Sequence, residues 1–563
     1  MPDASSDTSH PLAAALRLLG ARGFVSLPRV GAARYFEGPL ICKDGIVRIR
    51  LTIRDWDFVS YPSIRVLETP PSLQGVIPHI DAEGGLCYLA SGTVILDRYH
   101  PEHAIAQCLD LARRELDRLA TKPIYRQEEF QSEFGANWYV GQYPLPWDVS
   151  LGSLTPESQD AAAFGIGPPG ERLIAISDHA DEVRRLCVVR GWPEPTPLRA
   201  TCSVIRSDAS PTIPLNGLPA TVGEMFGWIR EWDRHAYSAI QSLLGQRRIL
   251  TNNFAIFLLK TRSGWFGFSF EVNETKRLAY SRKPTHFRQS LHRRNSTLPI
   301  NRLAVREIGA DFVHSRNLTF PSLRGRHITL IGCGAIGGYV AQALARLGAG
   351  TGGGELTLID PEHLGSENLG RHWLGYDNLF APKAEAVKQR IEKEFPESRV
   401  HAHVRRATFP TDIRGDLVID ATGEEAFSEA LNYHRQKMEP ASRPPTLHTW
   451  ILGNGECAQA LWVDTHKYAC YRCLRCNDPE RTPRFPILSH PPETQNLGCH
   501  AFTPYAVSAP MTAAALATDF VAGWMSGDPS PRFRTRAVEG AKLRKVKSKN
   551  LTPLAGCPAC ATR

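Results

Sequence analysis

Two cysteine pairs near the C-terminus, Cys470-Tyr471-Arg472-Cys473 and Cys557-Pro558-Ala559-Cys560, offer four soft thiolates, the donor set that tetrahedral Zn²⁺ takes. A metal there would staple the end of the chain to its body; free buried thiols or a redox pair are the other readings. A second constellation is the loop Gly332-Cys333-Gly334-Ala335-Ile336-Gly337, which follows the apolar residues 327–331 and leads into the helix-like 338–347. Glycines let backbone approach phosphate, and a helix N-terminus presents unpaired N–H groups and the positive end of its dipole. Asp360 closes the apolar run 356–359 and is placed to bond a ribose hydroxyl. Taken alone, this fingerprint fits a nicotinamide dehydrogenase nearly as well, and a structural glycine turn is a third reading. The continuation separates them: Asp360-Pro361-Glu362-His363-Leu364-Gly365-Ser366-Glu367-Asn368-Leu369-Gly370-Arg371, then Ala381-Pro382-Lys383, then Val418-Ile419-Asp420-Ala421-Thr422-Gly423. Attack of a carboxylate on the α-phosphate of ATP develops negative charge that Arg371 and Lys383 would neutralise, and Asp420, at a strand end, would hold Mg²⁺. Hydride transfer needs none of these. Two more cysteines complete the inventory. Cys499, in Gly498-Cys499-His500, closes the Pro/Arg-rich connection 478–496. A free thiol has a pKa of roughly 8.5, and His500 or a helix N-terminus would raise its thiolate fraction; a buried structural cysteine is the alternative. Cys87, in Pro78-His79-Ile80-Asp81-Ala82-Glu83-Gly84-Gly85-Leu86-Cys87-Tyr88-Leu89, reads by itself as core.

Holding these groups takes several domains, because 563 residues exceed one ordinary core. The pattern divides at 1–150, 151–300 and 301–563. In the first, a helix-like 12–19, the alternating 46–53, the Pro-rich 61–78 and a helix-like 101–119 after Cys87 make an α+β order. Residues 150–172, polar and bearing Gly and Pro, read as a linker. The second domain has strand candidates at 173–176, 254–259 and 265–272 and helix candidates at 182–189 and 222–244. It carries no nucleophile, metal or phosphate signature, so it reads as a packing or linker domain. The basic stretch 281–301 leads into the third, α/β domain. A hydrophobic content of 42% with 22% charged residues describes a globular rather than a disordered or membrane protein, and no apolar run is long enough to span a bilayer. The polar, acidic start lacks a secretory layout, which makes the cytoplasm the expected location. The net charge of +9 is modest, and its dense patches at 282–294 and 542–549 read as solvated loops rather than nucleic-acid sites. Thirteen cysteines, four of them in CxxC pairs, point to metal rather than disulfides in such a compartment.

The glycine loop, Asp360, Asn368, Arg371, Lys383 and Asp420, in that order, resemble the activating-enzyme superfamily that includes ubiquitin-activating enzymes and the bacterial ThiF and MoeB adenylyltransferases. The resemblance implies that Gly332, Gly334 and Gly337 cradle ATP, that Asp360 binds ribose, that Asn368, Arg371 and Lys383 meet the phosphates, and that Asp420 holds magnesium. It also implies an arginine from before the loop, for which Arg306 and Arg316 both stand open. Paired knuckles in ThiF and MoeB strengthen the zinc reading of Cys470, Cys473, Cys557 and Cys560, and Cys499 resembles the activating nucleophile on its crossover loop. Around Cys87, the prolines, the Pro-His, the Gly-Gly turn and Leu-Cys-x-Leu resemble the active-site segment of ubiquitin-conjugating enzymes over most of residues 10–150. Cys87 would then accept a thioester from Cys499. The eukaryotic family places an asparagine eight residues before its cysteine as oxyanion donor; here that position is His79, whose imidazole N–H would replace the amide.

Conjugating-like, linker and Rossmann-like activating domains in this order resemble the fused conjugating and activating enzymes of bacterial CBASS antiphage operons. That resemblance implies a homodimer using ATP, Mg²⁺ and Zn²⁺ to adenylate a protein's free C-terminus, of a cGAS-like nucleotidyltransferase or a ubiquitin-like protein, and to join it to an amine target. A sulfur-carrier adenylyltransferase would share everything after residue 320 but would have no use for Cys87. A nicotinamide oxidoreductase would share only the loop and Asp360, and a non-catalytic scaffold would bind without turnover.

Overall fold

The computed structural model describes residues 10–68, 71–73, 75–90, 92–138, 147–168, 170–171, 173–497, 500–538 and 540–560. By their contacts these form two units, residues 1–180 with 193–306, and residues 181–192 with 307–563.

In the first unit, alternation in β3 buries Val47, Ile49, Leu51 and Ile53 on one face, as a half-covered antiparallel sheet requires. That sheet runs β1 (Val25–Ser26), β2 (Arg34–Cys42), β3 (Gly45–Ile53), β4 (Ser63–Glu68) and β5 (Gly85–Leu86) in chain order. Its apolar face meets α1 (His10–Ala21) and α2 (Pro101–Thr121), whose Ile105, Cys108, Leu109, Ala112 and Leu116 are fully buried. Next come α3 (Pro123–Ser132) and the single turn α4 (Phe134–Asn137). Cys87 immediately follows the short edge strand β5.

A second sheet has eight strands: β6 (Trp147–Leu151), β7 (Asp160–Ile166), β8 (Leu173–Ser177), β9 (Thr196–Pro197), β10 (Ala200–Arg206), β11 (Phe254–Thr261), β12 (Gly264–Glu271) and β13 (Asn301–Glu307). They are ordered β10-β11-β12-β13-β6-β8-β7-β9, and an additional β7–β10 pairing joins the first strand of that order to the last but one. Residues 150–172, expected as a linker, therefore supply strands: the small apolar side chains of β7 fit between β8 and β10, where Ala163 and Phe164 are buried. The helical stretch 222–244 is two helices, α6 (Val222–Trp232) and α7 (Arg234–Leu244), with α5 (Ala180–Arg190) earlier in the chain. The break falls at Asp233, whose carboxylate accepts the N–H groups of His235 and Ala236 and so starts a new helix. Helix α8 (Glu274–Tyr280) precedes the basic stretch, which holds α9 (Pro284–Ser290), anchored by fully buried Phe287 and Leu291.

The second unit takes in nearly all of α5 and then α10 (Ala310–Ser315), and is built on β14 (His327–Ile331), β15 (Glu355–Ile359), β16 (Val400–His403), β17 (Leu417–Asp420), β18 (Thr446–Leu452) and β19 (Cys457–Val463). A small hairpin, β20 (Gln495–Leu497) with β21 (His500–Phe502), stands apart, and β22 (Phe533–Ala537) completes the sheet. The order is β16-β15-β14-β17-β18-β19-β22, parallel from β16 to β18 and antiparallel beyond. Helices α11 (Ala335–Arg346), α12 (Lys383–Glu394), α13 (Glu425–Lys437) and α14 (Ser508–Met525) accompany it. Burial of the central strands explains their uninterrupted apolar runs. The chain leaves β14 toward β15 and β16, then returns to the other side of β14 as β17. That reversal opens a crevice at the strands' C-terminal ends, the place where open α/β sheets take ligands.

Candidate active site

The glycine loop lies in this crevice. Ile331 is level with Asp420 across the β14–β17 pair, and the loop then turns over β17. Gly332 has φ +91°, and a Cβ there would lie 2.9 Å from the Thr422 nitrogen. At Gly337 a Cβ would meet the Gly332 carbonyl oxygen at 1.8 Å, so helix α11 packs directly on the loop. Gly334, the residue before α11, has nothing within 4 Å of its would-be Cβ and lines a cleft of about 510 Å³. The first two glycines serve the turn; the third leaves room for a ligand at a helix N-terminus. Gly337→Ala is therefore expected to abolish ATP binding by pushing α11 off the loop, which a calorimetric ATP titration checks.

Asp360 also lines the cleft. Its Oδ2 accepts the Cys333 N–H at 2.7 Å and its Oδ1 the Glu362 N–H at 2.7 Å, so it clamps the loop to β15. Burial raises its carboxyl pKa. His372, which sequence reasoning passed over, holds the loop from the far side: its Nε2–H donates to the Cys333 carbonyl at 2.8 Å while its Nδ1 accepts the Leu374 N–H at 3.0 Å. Burial lowers its pKa and favours this neutral form. Only its place beside Arg371 hinted at it. Asn368 closes a single 3₁₀ turn, its Oδ1 accepting the Gly365 N–H at 3.0 Å. The Arg371 guanidinium stands 5.0 Å from the ring centre of Tyr505, another cleft residue absent from the sequence reading. Lys383, the first residue of α12, is buried, and its Nζ reaches Glu362 Oε2 at 2.5 Å.

Asp420 is also buried, and four donors meet its carboxylate: the Thr422 N–H at 3.1 Å, the Thr422 hydroxyl at 2.7 Å, the Ser428 hydroxyl, and His448 Nδ1 at 2.8 Å. Burial pushes its carboxyl up, but the bonds from His448, Ser428 and Thr422 outweigh this and hold it below the ordinary value. A carboxylate offers about four lone-pair sites. All are engaged here, so the direct magnesium contact expected of Asp420 does not fit this conformation. Of the two candidate upstream arginines, Arg306 pairs with Asp148 in the first unit at 3.2 Å and Arg316 ends α10.

The four knuckle cysteines converge. Cys470 Sγ is 3.7 Å from Cys473 and 3.9 Å from Cys557, and Cys473 Sγ is 3.5 Å from Cys560. Four sulfurs at about 2.3 Å from a tetrahedral centre would stand about 3.8 Å apart. The Leu554 N–H donates to Cys473 Sγ at 3.3 Å, the kind of bond that orients a thiolate ligand. This group can hold a metal ion. Cys499 lies outside the described residues; the strands on either side of it pair as a hairpin.

In the first unit, exposed Cys87 is linked to His79 by its N–H, which donates to the His79 carbonyl at 2.7 Å. His79 sits at φ +63°, a conformation rare for a residue with a side chain. Its ring is enclosed by carboxylates: Nε2 lies 3.0 Å from Glu129 Oε2 and 3.8 Å from Glu115 Oε1, and Nδ1 lies 3.0 Å from Glu133 Oε1 without an aligned hydrogen bond. The contact with Glu133 is the largest of the influences that raise its pKa. Cys87 is pushed up as well, by partial burial and then by Glu133. None of the three glutamates was singled out from sequence, because they arrive from α2, α3 and the turn after α3. A pH prediction follows. A histidine pKa raised above its unfolded value of about 6.5 stabilises fully below that pH, and the contribution is lost as pH rises through the folded value. The thermal-stability advantage of wild type over His79→Gln should shrink as pH rises above about 6.5; an advantage that stays constant as pH rises would contradict it.

The two sites define a class: a chain that joins an adenylating domain with a phosphate loop and a cysteine cluster to a domain bearing a conjugating-type cysteine. Residues 303–552 match the ThiF family, and residues 31–142 match Prokaryotic E2 family B. The chain is a bacterial-type fusion of activating-like and conjugating-like domains. It is 29% identical over 523 residues to the ATP-dependent ubiquitin transferase-like protein Cap2 of Pseudomonas aeruginosa, covering 90% of each chain. Cap2 of Escherichia coli is 24% identical over 92% of this chain and 91% of its own, and that of Vibrio cholerae 23% identical over 93% and 94%.

Proposed function

We propose that this chain is an ATP-dependent ubiquitin-transferase-like enzyme that adenylates the C-terminal carboxylate of a protein, carries it as a thioester from Cys499 to Cys87, and joins it to an amine. The single observation that carries the reading is the pairing, in one chain, of a phosphate loop backed by Arg371 and Lys383 with an exposed cysteine after a Gly-Gly turn. In the cleft, the N–H groups at the start of α11 face the phosphates, Asp360 holds the ribose end, and Arg371 and Lys383 balance the charge that develops as the carboxylate attacks the α-phosphate. Magnesium would supply further charge neutralisation. Direct coordination by Asp420 requires release of one of its four donors; of these the half-exposed Thr422 hydroxyl lies on the cleft wall, where it also accepts the Glu424 N–H at 3.2 Å. Zinc is the metal for Cys470, Cys473, Cys557 and Cys560. Splitting transfer into adenylate and thioester steps makes each easier than direct amide formation.

The relatives' description as ATP-dependent ubiquitin transferase-like proteins supports the use of ATP and a protein substrate; that the substrate presents a free C-terminus is part of this proposal. A cGAS-like nucleotidyltransferase or a ubiquitin-like protein, a role in antiphage defence, a cytoplasmic location, a homodimer and the division at 1–150, 151–300 and 301–563 belong to this proposal. Among the described residues no helix is long and apolar enough to cross a membrane. ATP–pyrophosphate exchange tests the adenylation half. Exchange that depends on an added protein with a free C-terminus supports it; exchange without any carboxylate partner, or tight NAD binding in place of ATP, overturns it. Sulfur-carrier activation is the second reading, favoured by the domain after residue 303 alone.

A further inference from the structure

The carboxylates around Cys87 belong to no step described so far. Glu115 comes from α2, Glu129 from α3, and Glu133 from the turn between α3 and α4. His79 Nε2 faces the first two and Nδ1 the third, while one ligand atom each of His79, Cys87 and Glu133 lies within 4.8 Å of the others. Among the described residues, other polar groups also face the cluster. Tyr125 donates its hydroxyl to Glu115 at 2.8 Å, Ser132 lies 3.5 Å from Glu129, and Arg118 stands 3.9 Å from Glu115. Among the described residues in contact here, the cations His79 and Arg118 face three carboxylates, so this cluster beside Cys87 carries more negative than positive groups.

That sign discriminates between the two reactions a carrier cysteine performs. Accepting an acyl group brings up a neutral thioester and needs the Cys87 thiolate, which nearby carboxylates oppose. Passing the acyl group to an amine brings up an ammonium, which they attract, and releases a sulfur that takes a proton readily because its pKa is raised. The geometry points to Glu133 as a catalytic residue of the amine-transfer step: its carboxylate receives the acceptor ammonium beside the Cys87 thioester and takes one of its protons. The freed nitrogen lone pair then forms the C–N bond to the thioester carbonyl carbon and the C–S bond breaks. The second proton leaving nitrogen goes to the Cys87 sulfur, and Glu133 returns the first to water. One ammonium and one thioester become one amide, one thiol and one proton. His79, fixed between Glu129 and Glu133, holds Glu133 in place.

This inference rests on Cys87 being an acyl carrier, and its test separates the two ideas. The full chain carrying Cys499→Ala is loaded by exchange with a fluorescent peptide thioester, with Cys87→Ala as blank, and discharge is followed with free lysine and, separately, with hydroxylamine, which is uncharged at neutral pH. Glu133→Gln should load normally, discharge to lysine about 10²-fold more slowly, and discharge to hydroxylamine at the wild-type rate. Lysine discharge within twofold of wild type overturns the assignment. Equal slowing with both nucleophiles, or failure of Glu133→Gln to load, shows a structural role and overturns it too. If wild-type Cys87 takes no label, the carrier reading itself fails.

Discussion

Lys383→Met should lower ATP–pyrophosphate exchange by about 10²- to 10³-fold while the chain melts close to wild type. The lysine starts α12 and its stem is buried, so methionine fills the same space. Its partner Glu362 has a side chain 64% exposed, so losing the ammonium strands no buried charge and stability is spared. The ammonium itself, held on Glu362 two positions after the Asp360 clamp on the glycine loop, is the cation that the transition state would lose. A variant exchanging at half the wild-type rate or better would show that Lys383 only anchors Glu362.

The second large effect concerns the cysteine cluster. Cys557→Ser should release the bound metal and free the C-terminal segment, since structural Zn²⁺ contributes on the order of 10 kcal/mol to folding around it. Cys557 and Cys473 are fully buried beside Phe533, Leu551 and Leu461, and the cluster joins the segment at 470–473 to the chain end at 557–560. Without the metal, a small apolar cluster and the β22 edge remain to hold that end. Elemental analysis should find about one equivalent of zinc in wild type and little in the variant, with new proteolytic cleavage after residue 540. Full zinc content and unchanged cleavage would mean that the thiols are merely packed.

The parts of this molecule legible in sequence are those in which neighbours along the chain act together. Buried parallel strands announced β14, β15 and β17 by unbroken apolar runs, and the glycine loop declared its turn because Gly332 and Gly337 answer separate steric demands within six residues while Gly334 between them leaves open space. The CxxC pairs were legible for the same reason: each half of the cluster is local. What escaped depends on partners brought from far along the chain. Asp420 was read as the magnesium residue at a strand end; the bonds it receives from Ser428 on α13 and His448 on β18 were not visible. His79 was singled out from its place eight residues before Cys87, but the glutamates 36 to 54 positions later that surround its ring were not visible. His372 showed no pattern of its own, because its role is to hold a carbonyl oxygen 39 positions earlier. The strands within 150–172 were missed since small residues and glycine in β7 resemble a linker until β8 and β10 cover them.

The relay is the central claim, and one gel tests it most directly. The protein is mixed with ATP, Mg²⁺ and a candidate partner protein that has a free C-terminus, then run without reductant as wild type, Cys499→Ala and Cys87→Ala. The account predicts reductant-sensitive adducts at both cysteines in wild type, an adduct at Cys499 alone in Cys87→Ala, and none in Cys499→Ala. Normal charging of Cys87 in the Cys499→Ala protein would contradict it.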